Sequence, residues 1–159
     1  MNSNSNSIVE LSFETGHTMP LQILVLDDCR FERARVRRLC SQSGLSVELT
    51  EIQTVSEMEA ALTEVSFDVI ILDYRLPGES GLEALKLLRN SGESAGIIMM
   101  TESFNPSVKD CATVLGCDLF WRKECITPQS LSEAISNLQK VKMERQQNSR
   151  GLINFNFPH

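Results

Sequence analysis

Unbroken apolar runs of four residues recur along the chain at Ile23–Leu26, Val69–Leu72 and Ile97–Met100. Each is bounded by polar or turn residues, the pattern of a strand buried on both faces, as in a parallel sheet. Leu119–Trp121 is a shorter run of the same kind, and Val47–Ile52 alternates as a strand at a sheet edge does. Between these runs the apolar residues recur at helical spacing. A helix over about Phe31–Ser43 closes at Gly44, which suits a helix C-terminus because it lacks a Cβ. Ser56 and Glu59, three residues apart, predict a capping box for a second helix reaching about Val65. Leu82, Leu85 and Leu88 mark a third helix, and Pro106 begins a fourth that ends at Leu115 and Gly116. Thr127-Pro128 opens a fifth, with Leu131, Ile135, Leu138 and Val141 on one face. Strand–helix units in strict alternation predict an α/β fold. Five such units make a doubly wound five-stranded parallel sheet with five helices, joined by right-handed crossovers.

The ends differ in character. Residues 1–19 begin with an Asn/Ser repeat and read as a disordered extension, with Ile8–Phe13 either a short strand or a helix turn. The packed domain is expected over residues 20–142, followed by a tail over 143–159. In that tail Gly151 precedes Leu152, Ile153, Phe155 and Phe157, which read as a partner-binding segment or as disordered chain. A length of 159 residues, 42% hydrophobic, suits one globular domain with its own core. The net charge of -6 disfavours direct nucleic-acid binding. Five cysteines without a close pair read as reduced thiols, arguing against a disulfide framework or a zinc site. No apolar run approaches the roughly 20 residues of a membrane span. The opening MNSNSNS lacks the basic and apolar stretches of a signal peptide. A cytoplasmic protein with no membrane contact is expected.

Parallel strands bring their carboxyl ends to one edge, where ligands of such sheets bind. Asp27 and Asp28 follow the first strand, Asp73 the third, Thr101 the fourth, and Lys123 stands just beyond the fifth. Three crowded carboxylates raise one another's pKa values unless a cation neutralises them. An all-oxygen set suits a hard ion that keeps several waters, magnesium rather than zinc. A lysine and a threonine hydroxyl facing the same point suit a phosphoryl oxyanion. Together these groups point to phosphoryl transfer onto Asp73, where catalysis is chiefly positioning and charge neutralisation.

Residues 20 to about 142 resemble the receiver domain of bacterial two-component response regulators, a CheY-like, flavodoxin-like fold. The resemblance is carried by LVLDD (Leu24–Asp28), LDYRLPGESGLE (Leu72–Glu83), Thr101 after its apolar strand, and LGCDLFWRK (Leu115–Lys123). It implies that Asp73 accepts phosphate from a histidine kinase or a histidine phosphotransfer protein. Asp28 would bind Mg2+ directly and Asp27 largely through water, with Asp73 and the backbone carbonyl of Arg75 completing the protein's share. Thr101 matches the hydroxyl that bonds the new phosphoryl group, Lys123 the lysine that pairs with it, and Phe120 the aromatic that turns inward on activation. The implied protein is a phosphoacceptor, not an enzyme with a separate substrate. Its output would be phosphorylation-dependent protein contact through the fourth helix, fifth strand and fifth helix, a surface that also suits a homodimer. Too little chain follows the last helix for a DNA-binding or enzymatic effector, so a stand-alone receiver is expected.

Rival classes lack their own signatures. A hydrolase of the haloacid-dehalogenase type needs a second carboxylate two residues beyond Asp73, where Arg75 stands. A nucleotide-binding flavodoxin-like protein needs a glycine-rich loop after the first strand, and DDCRFER supplies none. The alternative left open is a phosphate-independent interaction scaffold, because Glu102 follows Thr101 where the family commonly has a small residue. Glu124 follows Lys123 in place of the frequent proline, and Arg75 and Ser103 occupy positions that tune phosphate lifetime in the family. In the first helix, Arg30, Arg33 and Arg37 share a face by helical spacing. That face reads either as solvated or as a docking surface for the kinase. His17 and His159 lie in the tails, away from any ligand or base.

Overall fold

The apolar runs become the sheet. The computed structural model describes residues 19–151, in which β1 (Leu21–Leu26), α1 (Arg30–Gln42), β2 (Val47–Ile52), α2 (Val55–Glu64), β3 (Val69–Asp73) and α3 (Gly81–Asn90) follow in order. They are succeeded by β4 (Gly96–Thr101), α4 (Pro106–Val114), β5 (Leu119–Arg122), a 3-10 turn (Lys123–Cys125) and α5 (Pro128–Gly151). The five strands lie in the order β2-β1-β3-β4-β5, and every neighbouring pair is parallel. This is the doubly wound sheet with five α-helices expected from the pattern.

Successive side chains of a strand point to opposite faces, and the core divides accordingly. Leu24, Leu26, Ile70, Leu72, Ile97 and Met99 pack on one face with Met58 of α2, Leu85 and Leu88 of α3 and Ala112 of α4. Ile23, Val25, Val69, Ile71, Ile98 and Met100 pack on the other with Val36 and Leu39 of α1 and Ile135 and Leu138 of α5. β1, β3 and β4 thus have both faces covered, which is why their sequences do not alternate.

The capping box of α2 is formed by Thr54 and Glu57, two residues before the expected Ser56–Glu59 pair. Both pairs have the required spacing. β2 ends at Ile52, so Thr54 is close to the first residue free to leave the sheet, and its hydroxyl accepts from Glu57 N at 3.2 Å. A second box, Ser80 with Glu83, starts α3.

The last helix runs to Gly151, past residue 142 where the sequence pattern ends the packed domain. Long-range polar contacts hold its later turns. Arg145 Nη2 lies 2.6 Å from Asp118 Oδ1, and Arg89 Nη2 lies 3.0 Å from Asp118 Oδ2. Asp118 Oδ2 also accepts from Ile97 N at 2.8 Å. Buried Lys142 donates to Phe67 O at 2.6 Å and Asp68 Oδ1 at 3.1 Å. All these anchors sit where strands begin, at the edge opposite the candidate site. No helix among the described residues is long and apolar enough to cross a membrane. The readings placed on residues 1–18 and 152–159, including Ile8–Phe13, both histidines and the apolar end, lie outside the described residues.

Candidate functional site

The sheet's carboxyl edge brings the three aspartates together. Asp27 directly follows β1, and its Oδ1 accepts from Cys29 N at 2.8 Å as the chain turns into α1. Asp73 ends β3, paired in register with Met100 of β4. Asp27 and Asp73 are buried and Asp28 is exposed. One carboxylate oxygen from each lies within 4.8 Å of the other two.

Lys123 enters from the 3-10 turn after β5 and is itself buried. Its Nζ stands 2.8 Å from Asp27 Oδ2 and 3.3 Å from Asp73 Oδ1. Burial pushes the Asp73 carboxyl up to about 6, the Asp27 charge adds to that rise, and Lys123 and the Arg75 N–H hold it back. Burial opposes the charge on Lys123. Its hydrogen bond to Asp27 and the charges of Asp73 and Asp27 outweigh that effect and raise its pKa.

The loop after β3 is held close beneath the cluster. Arg75 N donates to Asp73 Oδ1 at 3.3 Å, and Arg75 forms an isolated antiparallel bridge with Ser80. Gly78 turns the loop with φ 77°, in the left-handed region that favours glycine. Gly81 N donates to Tyr74 O at 2.8 Å, so α3 begins directly against the end of β3. A Cβ on Gly81 would stand 2.4 Å from Asp73 O and 2.8 Å from Tyr74 Cα. Glycine is required here by a close backbone approach.

Thr101 ends β4, buried, with its hydroxyl donating to Ser103 O at 2.9 Å and accepting from Ser103 N at 3.3 Å. Phe120 is half-buried in β5 and meets Phe104 edge-on, with ring centroids 6.1 Å apart. Phe104 escaped sequence reasoning because it lies in a loop with no periodicity. Glu102 is exposed and lines an open hollow with Glu32, Arg35, Lys123 and Glu124.

The basic face expected on α1 is largely committed to intramolecular contacts. Arg33 Nη1 donates to Asp27 O at 2.7 Å, Arg37 is paired with Glu51 at 2.6 Å, and Arg30 lies over the Phe31 ring at 4.8 Å. Arg35, outside that expected face, donates from Nη2 to the Lys123 carbonyl. Spacing alone missed Arg35 because its partner lies 88 positions away.

The residues fit a hard divalent cation such as Mg2+. The donor set is all oxygen, exposed Asp28 opens the cluster to solvent, and a single ammonium, that of Lys123, faces Asp27 and Asp73 in a cluster of three carboxylates.

With this geometry, the chain belongs to the response regulator receiver domain family, which it matches over residues 23–136. The class carries with it two-component signalling. Among its relatives is the response regulator MprA of Mycolicibacterium vanbaalenii, 31% identical over 123 residues, covering 77% of this chain and 51% of that protein. The chain spans about half the length of the curated relatives it matches. A CheY-like receiver domain protein from Methanospirillum hungatei shares the fold with a TM-score of 0.69 and 20% identity, covering 79% of this chain and 98% of that one. A receiver domain protein from Clostridium thermocellum aligns with a TM-score of 0.66 and 26% identity, covering 77% of this chain and 97% of that one.

Proposed function

We propose that this receiver is phosphorylated on Asp73 by a histidine kinase or a histidine phosphotransfer protein, with Mg2+, and that another protein reads the phosphorylated state by direct contact. The observation that carries the reading is the meeting of three carboxylates within 4.8 Å, with Lys123 Nζ 2.8 Å from Asp27 and 3.3 Å from Asp73. With its carboxyl at about 6, Asp73 is ionised at neutral pH yet largely shielded from water, which suits a nucleophile.

In the transfer, an Asp73 carboxylate oxygen attacks the phosphorus of phosphohistidine. The P–N bond breaks, its electron pair leaves with the imidazole, and an acyl phosphate forms on Asp73. Asp27, Asp28, Asp73 and the Arg75 carbonyl would hold magnesium, which supplies positive charge to the transferring oxygens. Lys123 exchanges its bond to the Asp73 carboxylate for one to a phosphoryl oxygen. The Thr101 hydroxyl gives up Ser103 O and donates to another.

The phosphoryl group adds roughly -1.5 to -2 charge and strong acceptor oxygens. As Thr101 moves, Phe120 leaves its contact with Phe104 and turns inward, remodelling the surface of α4, β5 and α5. That surface is the output face in this reading and the contact of a homodimer. Phosphate only has to favour the remodelled state over the resting one. Protein contact in place of direct nucleic-acid binding accords with the net charge of -6, and the receiver acts as a phosphoacceptor that takes part in its own phosphorylation and dephosphorylation.

The test is intact mass after incubation with magnesium and a small phosphodonor, beside Asp73→Asn. One phosphate's added mass is expected on the unaltered protein, absent without magnesium and absent in the variant. No adduct from several donors, or an adduct retained by Asp73→Asn, would sink the reading and leave the phosphate-independent scaffold in front.

A further inference from the structure

Asp27 and Lys123 each stand one residue beyond the end of a strand, β1 finishing at Leu26 and β5 at Arg122. Sheet pairing stops short of both, so their carbonyls must find other donors. Within the backbone, Lys123 O is met by Ile126 N at 3.5 Å, a long bond. The stronger donors come from α1. Arg33 Nη1 bonds Asp27 O at 2.7 Å, and Arg35 Nη2 bonds Lys123 O. The side chains of those two acceptor residues are joined by the 2.8 Å ion pair between Lys123 Nζ and Asp27 Oδ2. A closed circuit results, running from α1 through Arg35 to Lys123, across to Asp27, and back through Arg33.

Helical geometry accounts for the circuit. At ~100° per residue, Arg33 and Arg35 project roughly 60° to one side and 100° to the other of Val36. Val36 is buried in the core between sheet, α1 and α5. The apolar stripe fixes the roll of α1, and the two guanidiniums flank it, one towards β1 and one towards the turn after β5. Glu32, one turn earlier, places Oε2 3.6 Å from Arg35 Nη1 and has no hydrogen-bond partner for that buried oxygen. Its charge draws the other arm of the Arg35 fork and helps to hold the side chain in place.

We infer that Arg35 is a positioning residue for phosphoryl transfer: bonded to the Lys123 carbonyl, it holds the Lys123 ammonium at the Asp27–Asp73 pair. This rests on the reading of Asp73 as phosphoacceptor. Arg35 does not touch the reacting atoms. It acts through Lys123, whose turn is only three residues long and has weak backbone support of its own. Reactions that depend on positioning lose rate steeply when a charged group drifts.

The experiment follows phosphate uptake by intact mass over time, at saturating small phosphodonor and magnesium. The proteins are the unaltered chain, Arg35→Ala, Arg35→Lys, Lys123→Ala, the double variant Arg35→Ala/Lys123→Ala, and Asp73→Asn. Arg35→Ala is expected to slow uptake about tenfold, and Arg35→Lys, with one ammonium still able to reach the carbonyl, to keep most of the rate. The double variant is expected to be no slower than Lys123→Ala alone, since nothing is left to position. A merely structural strut between α1 and β5 would lower both backgrounds by the same factor. Uptake by Arg35→Ala at the unaltered rate, or an equal further loss in the Lys123→Ala background, overturns the inference. If circular dichroism finds Arg35→Ala unfolded, Arg35→Gln replaces it in both backgrounds. No phosphate on the unaltered protein overturns the reading beneath, a result distinct from either of these.

Discussion

Replacing Asp73 by asparagine removes a buried charge while keeping the side chain's shape. Burial, and after it the Asp27 charge, lift the Asp73 carboxyl from 3.8 to about 6. Between those values the folded chain holds a proton that the unfolded chain has released. Stability therefore falls as pH rises through this window. Below about 3.8 both states are protonated and nothing is lost, whereas above about 6 the full cost is present. At ~1.4 kcal/mol for each tenfold change in proton affinity, the ionised side chain costs the fold about 3 kcal/mol. At pH 4.5 only about 1 kcal/mol of that has appeared. The amide introduced by Asp73→Asn brings its own need for hydrogen bonds, an offset of about 1 kcal/mol that does not vary with pH. The expected result is a stability difference that moves in favour of Asp73→Asn by about 2 kcal/mol between pH 4.5 and pH 8. Urea unfolding followed by the fluorescence of Trp121, the single tryptophan, measures it in the presence of EDTA. The midpoint difference should widen by about 1 M. Millimolar magnesium should narrow it by neutralising the unaltered protein's cluster. A difference that stays constant between the two pH values would refute the reasoning, because a carboxyl raised on folding must give a slope.

Gly81→Ala forces a Cβ to within 2.4 Å of Asp73 O, against backbone that cannot turn aside. It should cost about 1–3 kcal/mol in urea unfolding, and an unchanged midpoint would show that α3 shifts freely. Asp118→Ala strips the partner from Arg89, Arg145 and Ile97 N. With the side chain 14% exposed, the expected loss is about 3 kcal/mol, and a loss below about 1 kcal/mol would mean that water replaces the carboxylate.

The central strands were legible because burial on both faces leaves a mark that polar surface cannot imitate. Val69–Leu72 and Ile97–Met100 read as covered strands because the runs are short and bounded by polar or turn residues. The convergence of Asp27, Asp28 and Asp73 was legible for a related reason: in a parallel sheet, the residue after each strand has one place to go. Local signals with equal claims were not separable. Thr54–Glu57 and Ser56–Glu59 both have capping-box spacing, and the end of β2 decides between them. Long-range polar partners left no trace in the pattern. Arg145 falls in the stretch read as a tail, yet it lies on α5, where Asp118, 27 positions earlier, pairs with it. Arg33 and Arg35 likewise sit in a run of arginines that reads equally as solvated charge, and their acceptors are backbone atoms that every residue has.

The ion pair between Asp27 and Lys123 joins residues 96 positions apart, and this bears on how the chain assembles. All three carboxylates lie within the first half of the sequence, two just after β1 and one at the end of β3, strands that are neighbours in the sheet. Their internal counter-ion comes after the final strand. Chains leave the ribosome N-terminus first, so the acidic half emerges well before the lysine that balances it. Any route that pairs β1 with β3 early confronts its own repulsion until β5 docks or a cation from solution steps in. The closing strand is thus also the neutralising one, and divalent ions should speed folding as well as favour its product.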